Sequence, residues 1–575
     1  MDLTFFYPQS QQILFTDRDY YLSLLDLTRQ ALMAGRSQHL AFLGPRRIGK
    51  TLLIKEFIRR TLAAAADRAC VPVYLDCQRA PLSPEFFAAY YTGTVLAWLL
   101  GRGGERTAPF HDLTFQIKEA AALGAKVADY FYELDRAFRT SPVDQRALLD
   151  RAFDLPEFLA QTLDRRFMLF FDEFPELDAL SNYPQIGRVM DLLRAVLQTQ
   201  ERVAYITSGS AICMMQAIFY DPASPLAVHF RAEMLPPLTR EDSYSLIEKH
   251  LAELIGPVSE GLRLTIFRWT YGHPFYIGAL CERLTEQVRL GGGEPTEASV
   301  AQAFALETLW QNGRIANLCR YTLEKSLEHA RGETLLQLIL QILAAEEGGL
   351  TLTDLAGRLR RPTGQTRVLL QRLIEVDLVA QGGALYDYRD PVMKLWAAYY
   401  YQGLELPTVP RQQILDQLVT EISQRYQRVS SELGLARESQ VRELMRSFAG
   451  QVVSGSLLGL PGAINLPAFR SVTAYDQQGI EIDVLAEKCE ASLWDGESWA
   501  VEVKWQNEPA TRKDLEAFAA KIGRLPPSPA RRLWFIARAG FRDSAIRYAR
   551  EKGMAFSSQQ DLQTLAELLG VRFAR

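Results

Sequence analysis

Short apolar runs and longer amphipathic stretches alternate through the first 240 residues. HLAFLG (39–44), VPVYLD (71–76), FMLFFDE (167–173), RVAYITSGS (202–210) and EMLPPL (233–238) are too short for helices. Runs of this kind predict strands of a parallel sheet buried on both faces, and most of them end in Gly, Asp, Glu or Ser. KTLLIKEFIRRTL, from Lys50, instead spaces its apolar residues as a helix does, and residues 241–328 continue in helical pattern. From 333, ETLLQLILQILAA, TLTDLAGRL and TGQTRVLLQRLIEVDLV predict three helices, and DLVAQGGALYDY predicts a hairpin turning at Gly382-Gly383. Three helices and a hairpin make a winged helix. Near the C-terminus the period falls to two. GIEIDVLA (479–486) and WAVEVKW (499–505) alternate as half-buried strands, with the turn signal Asp495-Gly496 between them. Pairing these strands brings Asp483 near Glu502 and Lys504.

At 575 residues the chain is too long for one core, and about 150 residues per domain suggests three or four. Its composition is that of a soluble globular protein: 48% hydrophobic, 23% charged, net charge −4. A near-neutral molecule meets nucleic acid only through local patches. One such patch is Arg358, Arg360, Arg361, Arg367 and Arg372, with no acid between Asp354 and Glu375, on the third winged-helix helix and its approach. That is a face a recognition helix could turn to phosphates, although charge clusters are often solvated surface. The six cysteines are scattered without a C-x-x-C pair, which fits a reducing compartment and argues against structural zinc. No membrane-length apolar stretch and no basic leader are seen, so a cytoplasmic location without membrane contact is expected.

The local chemistry begins at G-P-R-R-I-G-K-T, Gly44 through Thr51, which fits G-x-x-x-x-G-K-[ST]. Here Gly44, Pro45, Arg46, Arg47, Ile48 and Gly49 form a loop whose amides can turn around phosphate oxygens. Lys50 would reach the β- and γ-phosphates, and Thr51 would offer a hydroxyl to Mg²⁺. Strand pattern before the loop and helical pattern after it are the context this motif requires. Asp172, ending the FMLFF run, would hold the metal, and Glu173 would polarise the attacking water. Ser208 and Ser210 end the next strand, placed to sense the γ-phosphate. The strand between the loop and Asp172 implies the sheet order of RecA-like and AAA-like ATPases, with ATP beyond the strands' carboxyl ends.

FTDRDYYLSLL (15–25), GPRRIGKT, LFFDEFPEL (169–177), TSGSAICMM (207–215), SPL (224–226) and YGHPFYI (271–277) together resemble the archaeal-type STAND ATPases. The resemblance implies that Gly272-His273-Pro274 is the G-x-P element of a helical lid, with Pro274 against adenine. After SPL the family carries a glycine–arginine pair, whereas this chain reads Ala227-Val228-His229-Phe230-Arg231, leaving Arg231 as the candidate γ-phosphate arginine.

Asp483 followed by Glu502-x-Lys504 on a neighbouring strand is similar to the constellation of PD-(D/E)xK nucleases. Two carboxylates can hold Mg²⁺ or Mn²⁺, and a lysine can orient the attacking water. The helix VRELMRSFAGQVV (441–453) precedes, with Glu443 as a further metal ligand by resemblance. DLEAFAAKIGRL and RRLWFIARAGF follow in the family's order. On pattern alone, a salt-bridged strand face reads equally well. The expected architecture is therefore α/β: a P-loop ATPase domain (1–240), helical lid (241–328), winged helix (329–402), linker (403–430) and restriction-endonuclease-like domain (431–575). The expected function is a switch ATPase governing a DNA nuclease-like domain, with a protein trigger or homo-oligomer as further partners. The alternatives are a regulator whose nuclease-like domain is silent, or a motor on DNA.

Overall fold

The computed structural model describes residues 3–63, 69–80, 83–104, 107–255, 258–291, 295–328, 332–346, 349–382, 385–406, 418–422, 441–442, 444–448, 450–477, 480–488, 498–505, 509–525 and 531–569. They form two compact units, one of 1–341, 359–380 and 388–419, the other of 342–358, 381–387 and 420–575.

The first unit is built on five parallel strands: β1 (His39–Leu43), β2 (Cys70–Asp76), β3 (Arg166–Asp172), β4 (Val203–Gly209) and β5 (Phe230–Met234). Their spatial order is β2-β3-β4-β1-β5, so β4 separates the P-loop strand from the acid-bearing strand. β5 lies earlier than the apolar run 233–238 suggested. Its ladder with β1 runs from Phe230↔His39 to Met234↔Leu43 and stops before Pro236-Pro237, which have no N–H to continue it.

Helices α1 (Gln9–Leu14), α2 (Asp19–Met33) and α3 (Lys50–Ala63) precede α4 (Pro84–Leu99), which is buried almost all round. α5 (Leu113–Ala121), α6 (Ala125–Arg139) and α7 (Gln145–Leu163) explain that burial, because they share one apolar core with α4. These helices, inserted between β2 and β3, thus cover a helix that lacks a polar face. α8 (Val189–Thr199) and α9 (Ile212–Tyr220) flank β4 in the chain.

The lid comprises α10 (Arg240–Ile255), α11 (Glu260–Thr270), α12 (Pro274–Gly291), α13 (Glu297–Leu309) and α14 (Arg314–Leu327). Fully buried Glu307 on α13 ties its neighbours by taking Arg283 from α12 at 2.8 Å and the Arg314 amide of α14 at 2.7 Å. The winged-helix elements follow: α15 (Glu333–Ala345), β6 (Leu350–Thr351), α16 (Leu352–Leu359), α17 (Thr363–Glu375), β7 (Val379–Gly382) and β8 (Leu385–Tyr388). The strands lie in the order β6-β8-β7, and the elements are divided between the two units. α18 (Pro391–Tyr400) is capped by Asp390.

In the second unit β9 (Val452–Ser454) pairs with β10 (Ala463–Asn465), and a sheet runs β11 (Phe469–Gln477), β12 (Ile480–Lys488), β13 (Ser498–Lys504), β14 (Arg531–Ala537), β15 (Ala555–Ser558). The first two pairings of that sheet are antiparallel and the last two parallel. Trp499, Val501 and Trp534 pack into one core, while Ala500, Phe535 and Phe518 of the helix Arg512–Ile522 pack into another, as strand alternation requires. The helical pattern expected through 453 is cut short, since Val452 and Val453 belong to β9. Gly383, Glu443, Asp495, Gly496 and most of the 403–430 linker lie outside the described residues. Among the described residues no helix is long and apolar enough to cross a membrane.

Candidate functional site

The loop from Gly44 to Gly49 joins buried β1 to the N-terminus of α3. A Cβ on Gly44 would stand 2.9 Å from the Leu235 carbonyl oxygen, and Gly49 has φ 105°, so glycine is required at both. The loop opens on a cavity of about 840 Å³ lined by Arg46 through Leu52, Glu173, Phe15 and Thr16, and by lid residues including His250, Pro274 and Phe275. Ile48 is buried, and its carbonyl accepts from Arg18 Nη2 at 3.1 Å. Lys50 is also buried. Its Nζ donates to the Gly44 and Pro45 carbonyls at 2.8 and 2.9 Å, so the ammonium is satisfied by its own loop. Burial pulls its pKa down to about 8, against the opposing pull of Glu173 and Asp172.

Asp172 is the hub beneath the loop. Its Oδ2 accepts from Thr51 Oγ1 at 2.7 Å and from Tyr74 OH at 2.7 Å, while Ser208 Oγ donates to Oδ1. Ser208 is fully buried and outside the cavity lining, with its hydroxyl on the carboxylate. β4 lies beside β3, and that adjacency turns the Ser208 hydroxyl toward Asp172. Tyr74 was missed by sequence reasoning; the available signal was a hydroxyl within the otherwise apolar run VPVYLD. Next in the chain, Glu173 takes φ 53°, and its Oε2 accepts from the Ser210 amide at 3.0 Å and the Ser210 hydroxyl at 2.9 Å.

The two P-loop arginines face aromatic rings of the lid. The Arg46 guanidinium lies 5.3 Å from the Tyr321 ring centre and Arg47 lies 5.0 Å from that of Phe275. Pro274 opens α12 at the cavity wall. The adjacent His273 Nε2 is 3.2 Å from the Arg46 carbonyl, and its ring stacks on Tyr276 at 4.2 Å. Burial lowers the His273 pKa to about 4, so the ring is neutral near pH 7. Arg231 lies outside the cavity lining, on β5, where it pairs with Glu233 at 2.6 Å and Tyr20 at 3.0 Å.

These residues fit a magnesium-bound triphosphate. The loop supplies main-chain amides at a helix N-terminus, Thr51 and Asp172 place two hard oxygens side by side, and Lys50 supplies the cation. Bound magnesium would neutralise phosphate charge between Thr51 and Asp172. Glu173, in the same cavity lining, is the carboxylate next to Asp172 in the chain.

In the second unit the β12–β13 ladder runs from Glu487↔Ser498 to Val484↔Val501. Just beyond it, Asp483 Oδ2 accepts the Val503 amide at 2.6 Å, and burial raises the Asp483 pKa. Glu502 and Lys504 do share a face, but each is engaged by the helix Arg512–Ile522. Lys521 Nζ donates to both Glu502 oxygens at 2.9 Å, and Lys504 Nζ donates to Asp514 at 2.7 Å. Burial alone would raise the Asp514 pKa, yet the Lys504 and Thr511 bonds outweigh it and hold that pKa below the ordinary value. Lys504 thus helps pin a helix N-terminus, a tie invisible to the D…ExK pattern. Among the described residues no three His, Cys, Asp or Glu side chains gather as a metal-binding group.

No protein-family model and no curated protein sequence matches the chain. Solved structures similar to it include a Walker-type ATPase of Pyrococcus abyssi, at 16% identity and TM-score 0.44 over 67% of this chain and 96% of that one. The Aeropyrum pernix ORC2 protein in its ADPNP–ADP complexes is 16% identical, with TM-score 0.41 over 72% and 97%. The RuvB Holliday junction branch migration motor of Thermotoga maritima is 15% identical, with TM-score 0.32 over 68% and 97%. What defines the class is the chain's own geometry: an α/β P-loop NTPase-like fold, with β4 between the loop strand and the acid strand, a helical lid and winged-helix-like elements.

Proposed function

We propose that the protein binds and hydrolyses ATP with Mg²⁺ and uses the nucleotide as a switch, as STAND-type ATPases do. One observation carries this reading: Thr51 of the P-loop hydrogen-bonds Asp172, with Glu173 next in the chain and facing the same cavity. Lys50 would exchange two loop carbonyls for phosphate oxygens, and that exchange is a differential contact able to bias the lid through Arg46 and His273. Lys50→Ala should abolish ATP binding, and Glu173→Gln should leave binding intact while slowing hydrolysis at least tenfold. Ordinary turnover in both variants would dispose of the reading.

The winged-helix arginines Arg360, Arg361 and Arg367 are exposed and support DNA as a partner. A second reading makes the C-terminal unit a metal-dependent DNA nuclease governed by this switch. Its support is the splayed β12–β13 end, which sets Asp483 beside the Glu502–Lys504 segment ahead of a parallel β14. The ion pairs of Glu502 and Lys504 favour a silent, DNA- or protein-binding version of the same domain. Incubation of the full chain with plasmid and Mn²⁺ separates the two: cleavage lost in Asp483→Ala supports the nuclease, and intact plasmid throughout supports the silent domain.

A further inference from the structure

α9 begins without a cap of its own. Ala211 stands at its N-cap position, and alanine has no oxygen to offer the free amides of the first turn. The missing acceptor comes from Asp377, on the turn that ends α17. Asp377 Oδ2 accepts the Cys213 amide at 3.2 Å, and the Cys213 thiol donates to the Ile374 carbonyl at 3.1 Å. Asp377 sits where α17 closes with left-handed backbone, φ 63°, and with the Leu378 amide on the Leu373 carbonyl. Glycine or asparagine is the usual occupant of such a position. An aspartate there keeps a half-buried carboxylate at α9, paired with Arg389 at 3.3 Å. Burial raises the Asp377 pKa, against the opposing pull of Arg389 and the α9 amides.

One residue before Ala211 is Ser210, the residue that holds the Glu173 carboxylate through both its amide and its hydroxyl. The run Ser210-Ala211-Ile212-Cys213 therefore has Glu173 on one end and the winged-helix aspartate on the other. We propose that Asp377 is a positioning residue for ATP hydrolysis: by capping α9 it fixes Ser210, and Ser210 keeps the Glu173 carboxylate engaged by its own amide and hydroxyl instead of a water. This rests on the reading of Glu173 as the water-orienting acid. Undocking of α17 frees α9, loosens Ser210 and releases the carboxylate. The coupling needs no contact between Asp377 and nucleotide.

The test is steady-state ATPase kinetics on the full chain. Asp377→Gly removes the cap and suits φ 63°, so it avoids the strain that alanine would add. Asp377→Asn keeps an acceptor and tolerates the same backbone. Loss of a helix cap shifts such a held-and-released equilibrium by about fivefold, so kcat in Asp377→Gly should rise by about that factor with KM unchanged. Asp377→Asn should stay near wild type. Amide exchange at Ile212 and Cys213 should quicken in the glycine variant alone, which a general loss of fold would not reproduce. An unchanged or lowered kcat in Asp377→Gly, or equal behaviour of the two variants, overturns the coupling. Glu173→Gln run alongside separates the layers. Full turnover there sinks the hydrolytic reading itself, whereas abolished turnover with an unmoved Asp377→Gly sinks only the role of Asp377.

Discussion

Lys50 makes a quantitative demand on nucleotide binding. Buried and answered by two neutral carbonyls, it titrates at about 8 rather than at the ordinary 10.5. Phosphate oxygens in place of those carbonyls would restore the charged form, and the return from about 8 to the ordinary 10.5 is worth about 3 kcal/mol of attraction. A proton must then be taken up on binding. The expected uptake is about a tenth of a proton at pH 7, about half at pH 8 and about nine tenths at pH 9. The ligand's terminal phosphate loses its last proton near pH 6, about two units below this window. Calorimetric titration of Mg-ATP into the protein, in two buffers of different ionisation heat, reads the uptake directly. Lys50→Arg, whose guanidinium stays charged, should bind without the pH dependence. The sign for the nucleotide-free protein is opposite. A lysine with lowered folded pKa binds fewer protons folded than unfolded, so its penalty on stability is full below pH 8 and fades as pH climbs toward 10.5. Uptake that stays flat between pH 7 and pH 9 would refute the picture of a buried, carbonyl-held lysine.

Other outcomes follow from single contacts. Tyr74→Phe deletes one hydroxyl from Asp172 while keeping the ring edge-on to Phe6 at 5.1 Å; it should cost about 1.5 kcal/mol, seen as a melting temperature lower by a few degrees. An unchanged melt would mean that Thr51 and Ser208 already satisfy the carboxylate. Gly93→Ala places a methyl 1.8 Å from the Phe110 carbonyl oxygen, so α4 must leave its cover; a loss of about 3 kcal/mol or more, or failure to fold, should appear in thermal denaturation. Lys521→Ala should remove both hydrogen bonds from Glu502 and increase Mn²⁺ binding to the full chain without nucleotide, measured by electron paramagnetic resonance. Equal binding in both proteins would show that Lys521 does not compete with a cation there.

The chain pattern alone carried the phosphate loop, the strand ending in Asp172, and the alternating C-terminal strands. Each of these is a local property: loop geometry needs glycine, a strand buried on both faces needs an unbroken apolar run, and a half-buried strand needs period two. β5 was displaced because apolar character extended past the ladder into Pro236-Pro237, where hydrogen bonding and not hydrophobicity sets the end. The insertion over α4 had no legible purpose, since covering is a relation between helices that are distant in sequence.

Tertiary structure alone decided which partner each polar group met. Tyr74 and Ser208 meet at Asp172 because β2 and β4 lie on either side of β3. Lys504 and Glu502 turn to Asp514 and Lys521 because one helix packs across the end of β13. Asp377 reaches Cys213 across a separation of 164 residues. A hydrogen bond is satisfied by whichever group packing brings within about 3 Å, and that distance is set by the fold and not by position along the chain. The sequence thus determined the chemical types available and the local shapes that present them, while the fold selected their pairings.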